Sequence, residues 1–390
     1  MNRVRIFIIV RFYLPGYKTG GPLRSISNIV EHFGDRFDFY ILTNDRDWTD
    51  AAAYPSVTQD AWNDVGRAKV FYSSQFSFSL LRRLLAEVAP AAVYLNSVFS
   101  PLTVRLLCMR RLEIIPRIPV IIAPRGELAD SALAIKGLKK KCYLWFANRA
   151  GLYNRLTWHA TWAQEAEEIR RTMDRAANIH LAPNIPKCLC PVASPSEKTK
   201  GKLRLIFLSR ICSVKNLLFG LQVLRNLVGD VILDIYGPID QNSYWAACEK
   251  AIASLPAQMT VSYKGSVQYS EVATTLSRYH FLFLPTTGEN FGHIIFEALS
   301  VGCPVIISDR TQWRNLQAKA AGWDLPLEDR PRWFAVLQRC VEMDEHEYRG
   351  LSEGAQRVAR EVDTKGAVFA TLELFDAAIA RNSLTEAIRQ

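Results

Sequence analysis

Long apolar runs are scarce in this 390-residue chain. Near its start, "VRIFIIVRFY" has only four consecutive strongly apolar residues, Phe7 to Val10, before Arg11. A membrane-crossing helix needs about 20, so neither a spanning segment nor a secretory signal is expected there, and the stretch reads as a buried strand. Histidine is equally sparse. The six histidines form no HxxxH pair and no cluster at ligand spacing, which argues against a zinc hydrolase. The eight cysteines are scattered without CxxC spacing, so neither a disulfide framework nor a zinc ribbon is indicated, and a reduced, cytoplasmic compartment fits. The only close pair, Cys188 and Cys190 in "PKCLCPV", has no partners at zinc spacing and reads as structural or incidental. Internal repeats and low-complexity tracts are also missing.

What the chain does contain is enough apolar residue, 49%, to build sizeable cores, and a length that suggests two domains. Its net charge of +10 is unevenly spread: residues 1–190 hold 26 Lys and Arg against 16 Asp and Glu, and residues 191–390 hold 22 against 22. The whole excess lies in the first half, which points to an anionic partner for that half. No nucleic-acid-binding motif accompanies the charge, so nucleic acid is not expected.

Apolar strand-like runs alternate with amphipathic helical stretches from end to end. In the first half the strands are "VRIFIIV", "FDFYIL", "AKVFY", "AAVYLN" and "PVIIAP"; in the second, "LRLIFLS", "VILDIYG", "MTVSYKG", "HFLFLPT" and "PVIISD". Such alternation means βα units and parallel sheets. The pattern breaks at residues 186–202, "PKCLCPVASPSEKTKGK", which reads as a linker. The expected fold class is therefore α/β with two doubly wound, Rossmann-like domains facing across a cleft: residues 1–190, residues 191–365, and a helical segment 366–390 expected to pack back toward the first domain. Ligands of such sheets bind beyond the carboxyl ends of the strands, so the loops after strands carry the chemistry.

Four of these loops, and one basic segment, hold candidates. "PTTGENFGHIIFEALSVGCPVIISD" sets Glu289 in a glycine-punctuated loop and Glu297 on the following helix, at the border of an apolar face. They are either a functional acid pair or a loop glutamate plus a solvated one. "LSRICSVKNLL" flanks a turn with Arg210 and Lys215, two cations suited to a diphosphate at a helix start, although each alone would be an ordinary surface charge. "GYKTGGPLRS" places Gly20 and Gly21 before a helix, where backbone amides can approach an anion; it is not a GxGxxG fingerprint, and a plain flexible loop is the alternative. In "TNDRDW", Asp45 and Asp47 form a DxD pattern that could hold a divalent cation, but a surface loop is preferred. "IKGLKKKCYLWF" packs Lys136, Lys139, Lys140 and Lys141 beside Trp145 and Phe146, which suits an anionic membrane surface or else an amphipathic helix with solvated lysines and buried aromatics.

The combination resembles the retaining GT-B glycosyltransferases of the large family-4 group (glycosyl transferases group 1), and among them bacterial enzymes that build surface polysaccharides. "GENFGHIIFEAL", "SRICSVKN" and "GGPLRS" carry the resemblance, supported by "APRGELADSALAIKGLKKK" and "HATWAQEAEEI". Pro183-Asn184-Ile185 stands where that family usually has an asparagine-glycine turn.

The resemblance implies a metal-independent enzyme, without cofactor, that transfers a sugar from a nucleotide-diphosphate donor to a glycan or polyprenyl-diphosphate-linked acceptor, in lipopolysaccharide, capsule or exopolysaccharide synthesis. By resemblance, Glu289 holds the transferring sugar, Arg210 and Lys215 neutralise the leaving diphosphate, and Glu297 accepts from the ribose hydroxyls. Gly20, Gly21, Asn290, Phe291 and Gly292 fall in the donor site, Gly265 and Ser266 near the base, and Arg125 with Gly126 on the acceptor side. A cytoplasmic location, peripheral on the inner membrane face, follows. A nucleotide-sugar epimerase of the same shape and a non-catalytic nucleotide-sugar-binding protein are the alternatives.

Overall fold

The computed structural model describes residues 3–135, 137–173, 178–187 and 196–387. Lys136, Cys188 and Cys190 lie outside them. The chain divides into two compact units, residues 1–185 with 364–390, and residues 186–363.

In the first unit, strands β1 (Val4–Ile9), β2 (Phe37–Asn44), β3 (Trp62–Val65), β4 (Ala68–Ser73), β5 (Ala92–Asn96), β6 (Val120–Ala123), β7 (Thr157–Ala160) and β8 (Ile179–Leu181) form one sheet in the order β3-β4-β2-β1-β5-β6-β7-β8. Every pairing is parallel except β3 with β4. The helix Gly21–Phe33 shows why the sequence folds this way locally: Ile26, Ile29, Val30 and Phe33 recur at helical spacing and are buried, while its charged residues face out. The C-terminal helix Thr364–Ala387 belongs to this unit because Ala367, Leu374, Phe375 and Ala378 fill its core. Phe375 stacks within 6.5 Å of Phe33, Phe37, Phe39 and Tyr94.

In the second unit, β9 (Lys202–Leu208), β10 (Asp230–Tyr236), β11 (Met259–Gly265), β12 (Phe281–Leu284), β13 (Val305–Ser308) and β14 (Gly322–Leu325) form a parallel sheet in the order β11-β10-β9-β12-β13-β14. Counted within the unit, this is 3-2-1-4-5-6, the dinucleotide-fold order. The chain thus leaves β9 to one side and β12 to the other. At that switch point the loops diverge and open a crevice at the carboxyl ends. The parallel strands of the first unit repeat the arrangement, with the switch between β1 and β5.

The linker is shorter than the composition of residues 186–202 suggests. Buried Asn28 donates to the Ile185 carbonyl at 2.8 Å, which ties the chain to the first unit as far as Ile185. On the other side, Lys198 is buried, and its ammonium donates to the carbonyls of Thr199, Val341 and Met343 at 3.0, 3.2 and 2.9 Å. It caps the C-terminal end of the helix Arg330–Glu342, where a cation meets the negative end of the helix dipole. Residues 196–202 are therefore part of the second unit.

Candidate functional site

Both loops at the second switch point are built for position. After β9 the chain makes a 3-10 turn, Ser213–Lys215, and Asn216, in the left-handed region at φ 57°, redirects it into the helix Leu217–Leu224. After β12 the loop runs from Pro285 to Gly292, which sits at φ 72° before the helix His293–Ser300. The Val214 carbonyl joins the two loops by accepting from Thr287 N, Thr286 Oγ1 and Thr287 Oγ1 at 2.8, 3.0 and 3.2 Å.

Across this seam Lys215 Nζ donates to Glu289 Oε2 at 2.5 Å, with the two side chains only 11% and 18% exposed. Glu289 is also fixed through its backbone, whose N–H donates to the Arg310 carbonyl at 3.1 Å. Gly292 admits no other residue cheaply. A Cβ there would lie 2.8 Å from Ile295 Cδ1 and 3.0 Å from Glu289 Cγ, on a backbone that side chains rarely adopt.

Arg210 has a different neighbour. Its Nη1 donates to Asp240 Oδ2 at 3.0 Å, and its side chain is 41% exposed. Asp240 follows β10, and its loop is zipped to Arg210's by Ile211 N donating to Pro238 O at 2.9 Å and Asp240 N donating to Ile211 O at 3.1 Å. Asp240 was missed in the sequence; a search of every loop after a strand, "YGPID" included, would have found it. Gly237 was missed too. At φ 131°, its Cβ would stand 1.9 Å from the Ser209 carbonyl oxygen, so only glycine lets these loops approach.

Glu297 is 3% exposed, so the solvated-glutamate reading is corrected: the helix His293–Ser300 is short and sits deep enough to bury its border position. Phe291 is packed in the core against Trp313, whose Nε1 donates to the Phe291 carbonyl at 2.7 Å; it anchors the loop. Asn290 is half-buried between Glu289 and this anchor. Gly265 ends the edge strand β11 at φ 76°, with open space where a Cβ would stand, and Ser266 follows it, half-buried. These two lie two strands from the switch point.

In the first unit, Gly20 begins the helix Gly21–Phe33 at φ 73° with no side-chain cap, and Gly21 is exposed. Asp45 and Asp47, read as a surface loop, are 1% and 3% exposed. Asp47 accepts from Tyr17, Lys18 and Trp48 amides at 2.7, 3.1 and 2.7 Å, and so holds the glycine-rich loop; Asp45 takes Arg46 at 2.9 and 3.2 Å. Asp47 is buried because it supplies acceptors to backbone amides that the irregular loop leaves unpaired, and Asp45 because its charge is met by the Arg46 guanidinium. Among the described residues, no group of three or more His, Cys, Asp or Glu is placed to hold a metal ion.

Arg125, at φ 55°, spends its guanidinium inside the unit: Nε to Asn96 Oδ1 at 3.2 Å, Nη1 to Asn184 Oδ1 at 2.6 Å and Nη2 to the Tyr94 hydroxyl at 2.8 Å. Tyr94 in turn meets His159 Nδ1 at 2.6 Å, and His159 Nε2 meets the Ala182 carbonyl at 2.7 Å. Burial, then the Arg125 charge, pushes His159 down to about 3, so the ring is neutral. Its Nε2–H donates to Ala182 and its Nδ1 accepts from Tyr94. Gly126 N donates to buried Glu165 at 2.7 Å. Asn184, in the altered turn, is thus held by Arg125.

The helix Gly137–Arg149 turns Leu144 and Ala147 inward and presents Leu138, Trp145 and Phe146 outward at 80, 59 and 65% exposure. The buried-aromatic reading is therefore corrected for Trp145 and Phe146. Lys139 and Lys141 are exposed with them, whereas Lys140 folds back onto the Ala132 carbonyl at 2.6 Å.

Residues 193–319 match the family model described as Glycosyl transferases group 1. No curated protein sequence matches the chain. Among solved structures, sucrose-phosphate synthase from Thermosynechococcus elongatus superposes with a TM-score of 0.75 at 14% identity, covering 97% of this chain and 100% of that one. Anabaena HepE in complex with UDP and glucose gives 0.67 at 14%, covering 96% and 100%. WaaG, a glycosyltransferase involved in lipopolysaccharide biosynthesis, gives 0.68 at 12%, covering 95% and 99%. The fold is GT-B: two Rossmann-like α/β units with parallel sheets.

Proposed function

We propose that the chain is a retaining glycosyltransferase that moves a sugar from a nucleotide-diphosphate donor to a glycan or lipid-linked acceptor in surface-polysaccharide synthesis. The observation that carries this reading is the Lys215–Glu289 pair at the switch point of a 3-2-1-4-5-6 sheet. Such a crevice receives nucleotides, and a cation and an acid held there suit the two ends of the reacting bond. The group 1 domain and the structural likeness to HepE, which was solved with UDP-glucose, lend support.

In the reaction, the bond from the anomeric carbon to the diphosphate breaks with its electrons going to phosphate. The acceptor oxygen bonds to that carbon and its proton passes to the departing diphosphate oxygen. Charge develops on the leaving diphosphate, where Arg210 and Lys215, the latter shared with Glu289, stabilise it. Glu289 orients the sugar's hydroxyls, and Glu297 takes the ribose. With two cations available, no divalent metal is required.

For the acceptor, the exposed Trp145 and Phe146 beside Lys139 and Lys141 support a peripheral site on an anionic membrane, each lysine contributing about 1 kcal/mol near the surface. No helix of the described residues is long and apolar enough to cross a membrane.

The test is a thermal-shift panel of UDP-, GDP- and dTDP-sugars, in which a ligand at 100 times its Kd stabilises by about 2.7 kcal/mol, followed by turnover of the selected donor with EDTA and NMR of the product anomer. A retained anomer and full activity in EDTA are expected. An inverted anomer refutes retention; loss restored by magnesium or manganese moves the diphosphate contact to a metal and revives Asp45 and Asp47; a free epimer without acceptor makes the chain an epimerase.

A further inference from the structure

A cavity of about 600 Å3 opens in the first unit, lined by residues between 133 and 173. Its place follows from topology. Tyr153 and Asn154 immediately precede β7, Trp158 is the second residue of that strand, and Arg171 and Thr172 end the helix Ala163–Thr172 that follows it. Asn148 and Arg149 end the helix Gly137–Arg149. These mark the amino end of the sheet, while Leu133 and the Tyr153 hydroxyl, which donates to the Val98 carbonyl at 2.9 Å, carry the lining toward the loops after β6 and β5.

The lining divides cleanly. Leu133, Leu144, Trp158 and Met173 make an apolar floor, while Lys141, Arg149 and Arg171 bring three cations and no acidic side chain among the described residues lines the space. Among the described residues no acid pairs with Lys141 or Arg149, and Arg171 shares its charge with Asp130 at 2.7 Å outside the cavity. Two helix C-termini point here, each worth about half a negative charge. Arg111 Nε donates to the Ala150 carbonyl at 3.0 Å and Arg110 Nη1 to the Asn154 carbonyl at 3.1 Å, so further cations border the cavity and partner these helix and loop carbonyls. Trp145 belongs both to this lining and to the outward face that it shares with Leu138 and Phe146.

We infer that this cavity binds the phosphodiester headgroup of an anionic membrane lipid, with its single negative charge between Lys141 and Arg149 and its glycerol end on the apolar floor. Lys141 and Arg149 suit an anionic phosphate group, and the apolar floor beside them suits the glycerol end of a lipid and gives a bare anion nothing to bury. A volume of this size lies within the range of small-ligand sites. The inference rests on the proposed membrane reading for the source of its ligand, because Trp145 makes the cavity continuous with the face that would meet the bilayer.

The experiment is titration calorimetry of the full chain with dihexanoyl phosphatidylglycerol below its micelle concentration, with dihexanoyl phosphatidylcholine and inorganic phosphate as the other arms. Saturable, one-site binding of the anionic lipid is expected, at least tenfold tighter than either comparison ligand. The double variant Lys141→Gln/Arg149→Gln, both positions exposed and expected to keep the wild-type melting temperature, should weaken it at least tenfold, while Lys139→Gln/Phe146→Ser should leave it unchanged. Absence of saturation, or equal binding of phosphatidylcholine or free phosphate, overturns the inference. Adsorption to phosphatidylglycerol vesicles separates the two readings: adsorption without short-chain binding removes the cavity and keeps the membrane face, and the reverse keeps the cavity and removes the face.

Discussion

Glu289→Gln and Lys215→Met should move nucleoside-diphosphate affinity in opposite directions. The wild-type pair is 2.5 Å apart and mostly enclosed, so each charge satisfies the other before any donor arrives. Taking one partner from a buried pair costs about 3–5 kcal/mol of stability; at 11% and 18% exposure the lower end applies, so both variants should melt earlier than wild type. Their ligand responses then diverge. Lys215→Met removes a charged hydrogen bond to the diphosphate, about 1.5–3 kcal/mol, which is roughly a 10- to 150-fold weaker Kd. Glu289→Gln removes a negative charge beside the diphosphate and leaves Lys215 seeking a partner, so the diphosphate binds more tightly. At a separation of about 5 Å and an effective dielectric near 20, the relieved repulsion is at most about 3 kcal/mol. Turnover nevertheless falls in Glu289→Gln, because the sugar loses its orienting acid, so Kd and kcat decrease together. The assay is calorimetry with whichever of UDP, GDP or dTDP gives the largest thermal shift, alongside donor turnover. Shifts of the same sign in both variants, or none, would refute the argument that the pair straddles the diphosphate site.

Gly292→Ala should destabilise the second unit by about 1–3 kcal/mol and lower turnover, since the new methyl meets Ile295 and Glu289 on a backbone at φ 72°; denaturant unfolding and kinetics check it, and a neutral variant would mean that the loop yields freely. For His159, pushed down to about 3, the unfolded ring binds a proton near pH 6.5 that the folded ring refuses, so its contribution is complete above pH 6.5 and is lost as pH falls toward 3. The slope of stability against pH in that window, up to about 1.4 kcal/mol per unit from this group, should flatten in His159→Gln. Adsorption to anionic vesicles at low salt should fall with added salt and fall again in Lys139→Gln/Phe146→Ser, with donor hydrolysis unchanged; a wild-type chain that ignores such vesicles removes the membrane reading.

Period and punctuation made the two-unit α/β fold legible, because buried parallel strands are written as short apolar runs whatever they pair with. The helix Gly21–Phe33 could be read to the residue, since glycine and proline mark its start and Ile26, Ile29, Val30 and Phe33 its face. Strands β3, β7, β8 and β14 were not legible. "TWHA" and "GWDL" span four residues each and carry polar side chains at positions that only neighbouring strands bury. His159 is an ordinary residue in the sequence; it becomes a buried neutral link because β7 lies beside β6 and β8, and the Arg125 network closes over it.

Residue types at the site were legible, but their pairing was not. Lys215 and Glu289 are 74 residues apart, and nothing local distinguishes Lys215 from Arg210 as the partner of that glutamate. Strand order decides it. β9 and β12 are neighbours, so the loops after them share the Val214 carbonyl and bring Lys215 to Glu289; β10 lies on the other side of β9, so Arg210 meets Asp240. One sheet order therefore assigns two carboxylates to two cations that the sequence presents as equivalent. It also gives the cations different surroundings, since Lys215 is 11% exposed beside its acid while the Arg210 side chain is 41% exposed. A diphosphate can engage Arg210 without breaking the Asp240 contact, whereas it must enter the Lys215–Glu289 pair itself. Under the proposed function, the catalytic demand would fall on the enclosed pair.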